Sequence, residues 1–245
     1  NLWAISLIIA KIKETSEAND ALLFLITSLI YKASKMMGHN SDGIGRIQKG
    51  TYYVPPNQHI INVWNFMVDS LSDFMRGYEE INKITNNALI VSTQSATNLE
   101  DVSDLSIDYI FTDPPYSGTV QYGELNFLWE AWLRFNTDWH NNEIIVNEIR
   151  SINENDWVEM MFEAMAECYR VLKPGRWISL CYHDTSEGTW QLVQDIMTEV
   201  GFIPEQVEQA LFIDTATKTV NQYFGTKVTK RDLVINFRKP RPGEI

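Results

Sequence analysis

The feature that most constrains this chain is a β-forming run that ends in a carboxylate and two consecutive prolines. Residues 108 to 118 read Asp-Tyr-Ile-Phe-Thr-Asp-Pro-Pro-Tyr-Ser-Gly. Each proline holds φ at about −65° and lacks a backbone N–H, so a strand has to stop at Asp113 and the next residues form a rigid loop. The sequence therefore predicts a strand that carries Asp113 to the edge of a sheet, with the carbonyl oxygens of Asp113 and Pro114 directed outward.

The predicted loop combines hydrogen-bond acceptors with an aromatic ring. The Asp113 carboxylate and the Pro114 carbonyl can accept two hydrogens from an exocyclic amine, while Tyr116 can stack on a planar base. Base stacking on an aromatic side chain is worth about 1 to 3 kcal/mol. Stacking uses the ring, so we expect the Tyr116 hydroxyl to be dispensable. These residues indicate chemistry on the amino group of a nucleobase.

Asp113 to Tyr116 resembles the Asp-Pro-Pro-Tyr signature of S-adenosylmethionine-dependent methyltransferases that modify amino groups in nucleic acids, chiefly the 6-amino group of adenine in DNA. Leu172-Lys-Pro-Gly175, before the apolar run 177–182, is similar to a turn that precedes a strand throughout these enzymes. The resemblance implies S-adenosylmethionine as cofactor, DNA as substrate, and catalytic roles for Asp113, Pro114 and Tyr116. It also implies a base pocket built from Pro115 and Tyr116, with Tyr122 or Gln121 as a wall, and no metal.

The cofactor site is less complete in this sequence. Residues 88–92 predict a short apolar strand, and Ser95 and Ala96 beyond it resemble the family's adenine-binding segment, where an Asp usually replaces Ser95. Asp113 is the third predicted cofactor contact. The family's Phe-x-Gly-x-Gly motif is missing, because Gly43 and Gly45 follow a helical pattern and predict a turn. We expect the motif and the first strands upstream of Asn1, as in large bacterial DNA methylases with long insertions, and expect this stretch alone to be inactive.

The order of hydrophobic patterns predicts an α/β fold. Helical spacing predicts a helical region over residues 1–85, and the resemblance implies that residues 86–245 form the catalytic part of a methyltransferase domain. In the second region strand and helix patterns follow the order βαβαβ and end in a hairpin of 209–214 and 231–237. This order is typical of a Rossmann-like methyltransferase fold with a mostly parallel sheet and a terminal antiparallel hairpin, here lacking its first strands. The Asn-rich stretch 136–155 predicts an exposed loop.

Charge and cysteine usage bear on partners and location. The 245 residues carry a formal net charge of −12, whereas DNA phosphates attract Lys and Arg. We therefore expect DNA to be gripped mainly by regions outside this sequence, in further domains or subunits of a restriction or defence system. Cys168 and Cys181 lie in a predicted helix and a predicted strand, which favours free thiols and a cytoplasmic protein. The apolar run at the N-terminus is too short to span a membrane.

Three alternatives remain open on the sequence. The same chemistry could act on the 4-amino group of cytosine, for which related enzymes more often carry Ser in place of Asp113. It could act on a base in RNA, or the chain could be a non-catalytic methyltransferase-like module of a restriction or defence protein. A Phe-x-Gly-x-Gly motif upstream of Asn1 would favour an enzyme.

Overall fold

A computed structural model describes residues 1–14, 19–39, 45–47, 52–83, 89–182, 187–204, 211–214 and 231–244. The chain divides into two compact units, one of residues 1–91 and 122–139 and the other of residues 92–121 and 140–245. The helix that follows the Asp113–Tyr116 loop along the chain thus belongs to the same unit as the N-terminal helices. The predicted boundary between a helical region and a catalytic part, at residues 85 and 86, concerns function and stays a prediction.

The first unit is helical. It contains α1 (Leu2–Glu14), α2 (Asn19–Ile30), α3 (Val63–Lys83) and α4 (Tyr122–Leu133). Its core consists of aliphatic side chains, with the tryptophans of α4 packed against them: Ile5, Ile9, Ile12, Ile26, Leu29, Ile30, Val63, Trp129 and Trp132. The indole nitrogen of Trp129 donates to the carbonyl of Thr27 at 3.0 Å. These tryptophans therefore serve the core, as their helical spacing predicted.

The second unit contains a mixed α/β sheet. Its elements are β1 (Ile107–Thr112), α5 (Glu154–Val171), β2 (Leu172–Tyr182), α6 (Glu187–Val200), β3 (Ile203–Pro204), β4 (Leu211–Asp214) and β5 (Arg231–Arg238). A short 3-10 helix, Asp138–Asn142, lies between α4 and α5 along the chain. The strand order is β1-β2-β5-β3, with β4 also paired to β5. The predicted α/β class and the placement of 108–112, 177–182 and 231–237 in one sheet are confirmed.

The pairing directions refine the predicted topology. β1 and β2 are parallel, whereas β5 is antiparallel to β2, β3 and β4. The predicted antiparallel hairpin at the end of the chain is confirmed as the β4–β5 pair. Because β5 contributes three of the four described pairings, the described part of the sheet is mixed and not mostly parallel.

One face of the sheet is covered by two helices. Ile178, Leu180 and Phe237 of the sheet are almost completely buried, as are Trp157 of α5 and Met197 of α6, and all belong to one core cluster. The start of α5 is fixed locally. The Asn153 side chain accepts the backbone N–H groups of Asn155 and Asp156, and the Asp156 carboxylate accepts the N–H of Asn153. This capping box fixes the start of the helix at Glu154.

Two sequence predictions were wrong in detail. Leu89, Ile90 and Val91 are each more than 80% exposed and form no strand, while Ala88 lies outside the described residues. A strand needs a partner for its backbone groups, and no described strand pairs with this run. The predicted turn at Lys173–Gly175 lies inside β2 as a bulge. Ile107 pairs with Leu172 and Tyr109 pairs with Trp177, so β2 has more residues than β1 between these two paired positions.

Candidate functional site

The loop after β1 lies at the edge of the sheet where the parallel strands end. Asp113 directly follows Thr112, the last residue of β1, and β2 ends at the same edge because the two strands are parallel. Ligands of open α/β sheets bind at this carboxyl edge. Asp113 is exposed, Pro114 is buried, and Pro115 is partly buried. The predicted strand therefore delivers its carboxylate to a position where a ligand can reach it.

Tyr116 contacts both the core and Asp113. Its ring is partly buried and packs against the main hydrophobic cluster, and its hydroxyl donates a hydrogen bond to Oδ1 of Asp113. Within the described part of the chain no hydrogen bond is recorded to the Pro114 carbonyl. The sequence predicted a Tyr116 whose ring alone matters, whereas the structure gives its hydroxyl a partner. The Tyr116 hydroxyl thus orientates the exposed Asp113 carboxylate.

The residue after Tyr116 has an unusual backbone conformation. Ser117 has φ of 50°, in the left-handed region that residues other than glycine rarely adopt. The turn around it is closed by two bonds, from Ser117 N–H to the Pro115 carbonyl at 3.2 Å and from Thr119 N–H to the Tyr116 carbonyl at 3.1 Å. Backbone conformations of this kind cost about 1 to 3 kcal/mol and persist only when neighbouring contacts hold them.

Those neighbouring contacts come from a segment that the sequence placed on the surface. The prediction of an exposed loop over 136–155 was wrong for part of residues 143–152, although Glu148, Ile149 and Ser151 are exposed. Four side chains of this segment are buried, namely Glu143, Ile145, Asn147 and Ile152, and Ile144 and Val146 pack against the core. Asn147 and Ile152 exchange both backbone bonds at 2.9 Å. The Ile-Ile-Val run inside the Asn-rich stretch is the signal that could have indicated burial.

Gln121 links the loop that follows β1 to the segment of residues 143–152. Its Nε2 donates to the carbonyls of Gly118 at 3.2 Å and Val146 at 3.0 Å. Its Oε1 accepts a hydrogen bond from Nδ2 of Asn147 at 2.6 Å. The backbone adds one contact, from Val146 N–H to the Ser117 carbonyl at 3.4 Å. Gln121, predicted as a possible wall of a base pocket, therefore has its amide occupied by the protein.

A buried ion pair anchors the same segment. Arg150 Nη1 lies 2.8 Å from Oε2 of Glu143, and the side chains are only 12% and 6% exposed. The same Nη1 donates to the carbonyl of His140 at 2.6 Å, and the Arg150 N–H donates to Oδ1 of Asn147 at 3.0 Å. Sequence analysis missed Glu143, Asn147 and Arg150, because their partners are not defined by any local pattern.

A second cluster of charges fixes the chain before β1. Arg170, near the end of α5, donates to the carbonyls of Leu99 at 2.9 Å and Val102 at 3.0 Å, and pairs with Asp104. Glu167 accepts Arg170 and the Leu99 N–H, both at 2.8 Å. The Arg170 hydrogen bond, followed by the Leu99 N–H, lowers the pKa of Glu167 to about 2. The chain before β1, like the loop after it, is therefore held by hydrogen bonds to other segments of the unit.

The residues predicted to hold the cofactor adenine lie in a separate turn. Ser95 and Ala96 are exposed, and Oγ of Ser95 accepts the Thr97 N–H at 3.2 Å and lies 2.8 Å from Thr97 Oγ1. No recorded hydrogen bond among the described residues joins this turn to residues 113–118. Tyr122 is the first residue of α4 and belongs to the helical unit. The roles predicted for Ser95, Ala96 and Tyr122 stay predictions.

Other predicted features are placed as follows. Gly43 lies outside the described residues, and the neighbouring Arg46 forms a bridge with Gly38. Cys168 and Cys181 form no disulfide bond, and burial raises the pKa of Cys168 to about 11. In the described ranges no three His, Cys, Asp or Glu side chains are grouped as metal ligands. The helices that the structure describes include none long and apolar enough to cross a bilayer.

Comparisons by sequence return no match, neither to a protein-family model nor to a curated protein. Solved structures do match. A protein of Thermus thermophilus, TTHA0409, named as a DNA modification methylase and solved with S-adenosyl-L-methionine, has 17% identity and a TM-score of 0.35 over 60% of this chain and 54% of that one. PvuII DNA methyltransferase, cytosine-N4-specific, has 14% identity and a TM-score of 0.39 over 64% and 51%.

A third structure shows how far these likenesses extend. The [4+2]-cyclase SpnF has 11% identity and a TM-score of 0.39, over 71% of this chain and 63% of that one. The chain spans about half the length of the Thermus structures it matches. Proteins with different named activities share this likeness, so the function has to be argued from the residues at the carboxyl edge of the sheet.

Proposed function

We propose that the Asp113–Tyr116 loop binds the 6-amino group of an adenine in DNA and supports methyl transfer to it from S-adenosylmethionine. The observation that carries the proposal is the exposed Asp113 carboxylate at the carboxyl edge of the β1–β2 pair, orientated by the Tyr116 hydroxyl and followed by the Pro114 carbonyl. Two acceptors in fixed positions match an amine with two hydrogens.

The proposed chemistry assigns each loop residue a task. S-adenosylmethionine, when bound, supplies an electrophilic methyl group. The Asp113 carboxylate and the Pro114 carbonyl accept the two amine hydrogens, which draws the nitrogen lone pair out of conjugation with the ring. As the nitrogen gains the methyl group it becomes acidic, and Asp113 is placed to take the proton. The exposed part of the Tyr116 ring, with Pro115, supports the base after it leaves the duplex, a step that costs a few kcal/mol.

The cofactor would be held by other residues of the same unit. We propose contacts from Ser95, Ala96 and Asp113. The Ser95 hydroxyl is engaged with Thr97, so this turn would contact the cofactor through its backbone and the small Ala96 side chain. The Asp113 carboxylate, which also accepts the amine of the base, can accept a hydrogen bond from an amino group of the cofactor.

The same proposal extends to how DNA is bound, to the cellular setting and to the product. With a net charge of −12, this chain would contribute the reaction centre while basic regions of other domains or subunits grip the phosphates. A restriction or defence system in the cytoplasm is the setting that such a DNA adenine methyltransferase would have. The proposal makes a direct claim about product, since only the amino nitrogen of adenine would gain the methyl group.

The test is methyl transfer by the protein, expressed together with any sequence that flanks these residues in its gene. Radiolabelled S-adenosylmethionine and methylation-free bacterial genomic DNA are the reactants, and mass spectrometry of the nucleosides identifies the product. We expect N6-methyladenine from the wild type and none from Asp113→Ala. Asp108→Asn is the matched control, because Asp108 is an exposed carboxylate at the opposite end of the same strand, where it pairs with Lys173 at 2.8 Å.

Each alternative predicts a different product. N4-methylcytosine would replace the adenine assignment by the cytosine one, and label transferred only to RNA would make RNA the substrate. No transfer to any nucleic acid by a folded wild-type protein would identify the chain as a non-catalytic module. Wild-type turnover in Asp113→Ala would refute the role of the carboxylate.

A further inference from the structure

We infer that Gln121 and Asn147 form a brace that sets the position of the Asp113–Tyr116 loop, which makes them positioning residues for the reaction. The effect on catalysis rests on the proposed function, whereas the brace itself can be tested without it. Neither residue needs to touch a base. Their effect would come from the conformation they impose on Ser117 and Gly118, directly after Tyr116.

The hydrogen-bond capacity of Gln121 is used by the protein. A glutamine amide offers two N–H donors and one carbonyl acceptor group. The donors reach the carbonyls of Gly118 and Val146, and the carbonyl receives Asn147. One side chain thus joins the loop to a segment 25 residues away along the chain. An amide whose donors and acceptor are all bonded within the protein is suited to fixing the backbone and poorly suited to binding a substrate.

Asn147 gives the brace a rigid base. Its side chain is 6% exposed, and its Oδ1 accepts the Arg150 N–H while its Nδ2 donates to Gln121. The buried pair of Arg150 and Glu143 encloses the same segment. Because buried ion pairs and paired backbone groups resist displacement, the position of Asn147 is set by the core and not by solvent. The brace therefore fixes the position of the loop relative to the core of the second unit.

The loop needs this support at Ser117. A left-handed φ of 50° at a serine is maintained by its surroundings, and besides the bonds within the turn these include the bond from the Val146 N–H to the Ser117 carbonyl. Space is limited as well, since a Cβ on Gly118 would lie 3.2 Å from the Val146 carbonyl. Without the brace, Ser117 can relax toward ordinary φ values, and Tyr116 would then move relative to Asp113. A displacement of about 1 Å at a reacting centre can reduce a rate by about a hundredfold.

Hydrogen exchange tests the brace directly, without substrate or cofactor. Gln121→Met keeps the side-chain length and removes all three of its bonds. Asn147→Ala removes one of those three, together with the bond that Asn147 accepts from the Arg150 N–H, and serves as a second variant. We expect amide exchange at Thr119 and Val146 to accelerate by about tenfold in Gln121→Met, with unchanged rates in α6. Gln191→Met is the matched control, because the recorded bond of Gln191 is to Asp195, at 2.9 Å on the surface of α6. Unchanged exchange in both brace variants would overturn the inference.

Kinetics of the full-length protein test the positioning role. A brace predicts that kcat falls by about tenfold or more in Gln121→Met while KM for DNA changes little, since geometry and not substrate contact is lost. Gln121→Glu adds a pH signature. Its ionised carboxylate repels the Gly118 and Val146 carbonyls, whereas its protonated form regains one donor, so its kcat relative to wild type should rise as pH falls. A flat ratio, or a loss confined to KM, would contradict the brace and favour a substrate contact.

The two readouts separate the brace from the proposed function. Accelerated exchange in a protein whose wild type transfers no methyl group would retain the brace and reject the reaction. Normal exchange and normal kcat in Gln121→Met, with an active wild type, would retain the reaction and reject the brace.

Discussion

The hydroxyl of Tyr116 donates a hydrogen bond to the carboxylate of Asp113, three residues earlier in the same loop. The bond places a neutral donor on one carboxylate oxygen and leaves the other for a ligand. It also couples a residue packed against the core to an exposed one, so that the orientation of Asp113 depends on how Tyr116 is seated. The catalytic proposal therefore makes a prediction about the hydroxyl as well as about the ring.

We predict that Tyr116→Phe lowers kcat by about tenfold and that Tyr116→Ala lowers it further. A hydrogen bond to a charged group contributes about 1.5 to 3 kcal/mol, and about 1.4 kcal/mol corresponds to tenfold in rate. We place the effect at the lower end because Asp113 is exposed. Single-turnover methyl transfer measures it, with KM for DNA as a check. Full activity of Tyr116→Phe would show that the ring alone matters, as the sequence suggested.

Removal of Arg150 should destabilise the second unit by about 3 kcal/mol. Arg150→Ala removes the guanidinium that lies 2.8 Å from the buried Glu143 carboxylate, and breaking one side of a buried pair costs about 3 to 5 kcal/mol. Urea unfolding followed by hydrogen exchange in α5 and β2 measures the loss. The surface pair of Lys11 and Glu14, with side chains 76% and 66% exposed, is the control, and Lys11→Ala should cost less than about 1 kcal/mol.

The double variant Arg150→Met with Glu143→Gln should recover much of that stability, since neither of the two buried positions then carries a charge. If the double variant is as unstable as Arg150→Ala, packing and not charge accounts for the loss.

Two glycines should respond to alanine in opposite directions. Gly175, in the β2 bulge, has φ of 74°, and a left-handed conformation costs a residue with a Cβ about 1 to 2 kcal/mol. Gly77, inside α3, has open space where a Cβ would lie, with no atom within 4 Å, so alanine there should stabilise the helix by about 0.5 to 1 kcal/mol. Urea unfolding of Gly175→Ala and Gly77→Ala measures both. Stabilisation by Gly175→Ala would contradict the left-handed bulge.

Acid should weaken the support that Glu167 gives to the chain before β1. Because the folded-state pKa of Glu167 is lowered from 4.5 to about 2, its stabilising effect is complete above about pH 4.5 and is lost as pH falls toward about 2. We therefore expect wild type to exceed Glu167→Gln in stability at roughly neutral pH, and the difference to shrink below about pH 4.5. A difference that stays constant down to about pH 2 would contradict the ion pair with Arg170.

Local features made much of the fold predictable. β1 and its end at Asp113 follow from a β-forming run and two prolines, and α5 follows from its apolar spacing. These signals act within a few residues, so the sequence carries them without reference to the rest of the chain. The same reasoning located the carboxylate and the aromatic ring of the candidate site, although it could not show that the Tyr116 hydroxyl bonds Asp113.

The predictions failed where distant segments decide the outcome. Leu89–Val91 is as apolar as a buried strand, yet it is exposed, because a strand exists only where another strand pairs with it. Glu143 and Asn147 are polar and lie in an Asn-rich stretch, yet they are buried, because Glu143 pairs with Arg150 and Asn147 bonds to Gln121.

By itself the sequence determined where β1 ends and which acceptors and ring follow it, since proline geometry and strand propensity are properties of adjacent residues. Only the tertiary structure decided how that loop is held, since Gln121 and the Val146 carbonyl meet through folding of the intervening chain. Hydrogen bonds between remote groups depend on the position of whole elements, and no local pattern encodes that position.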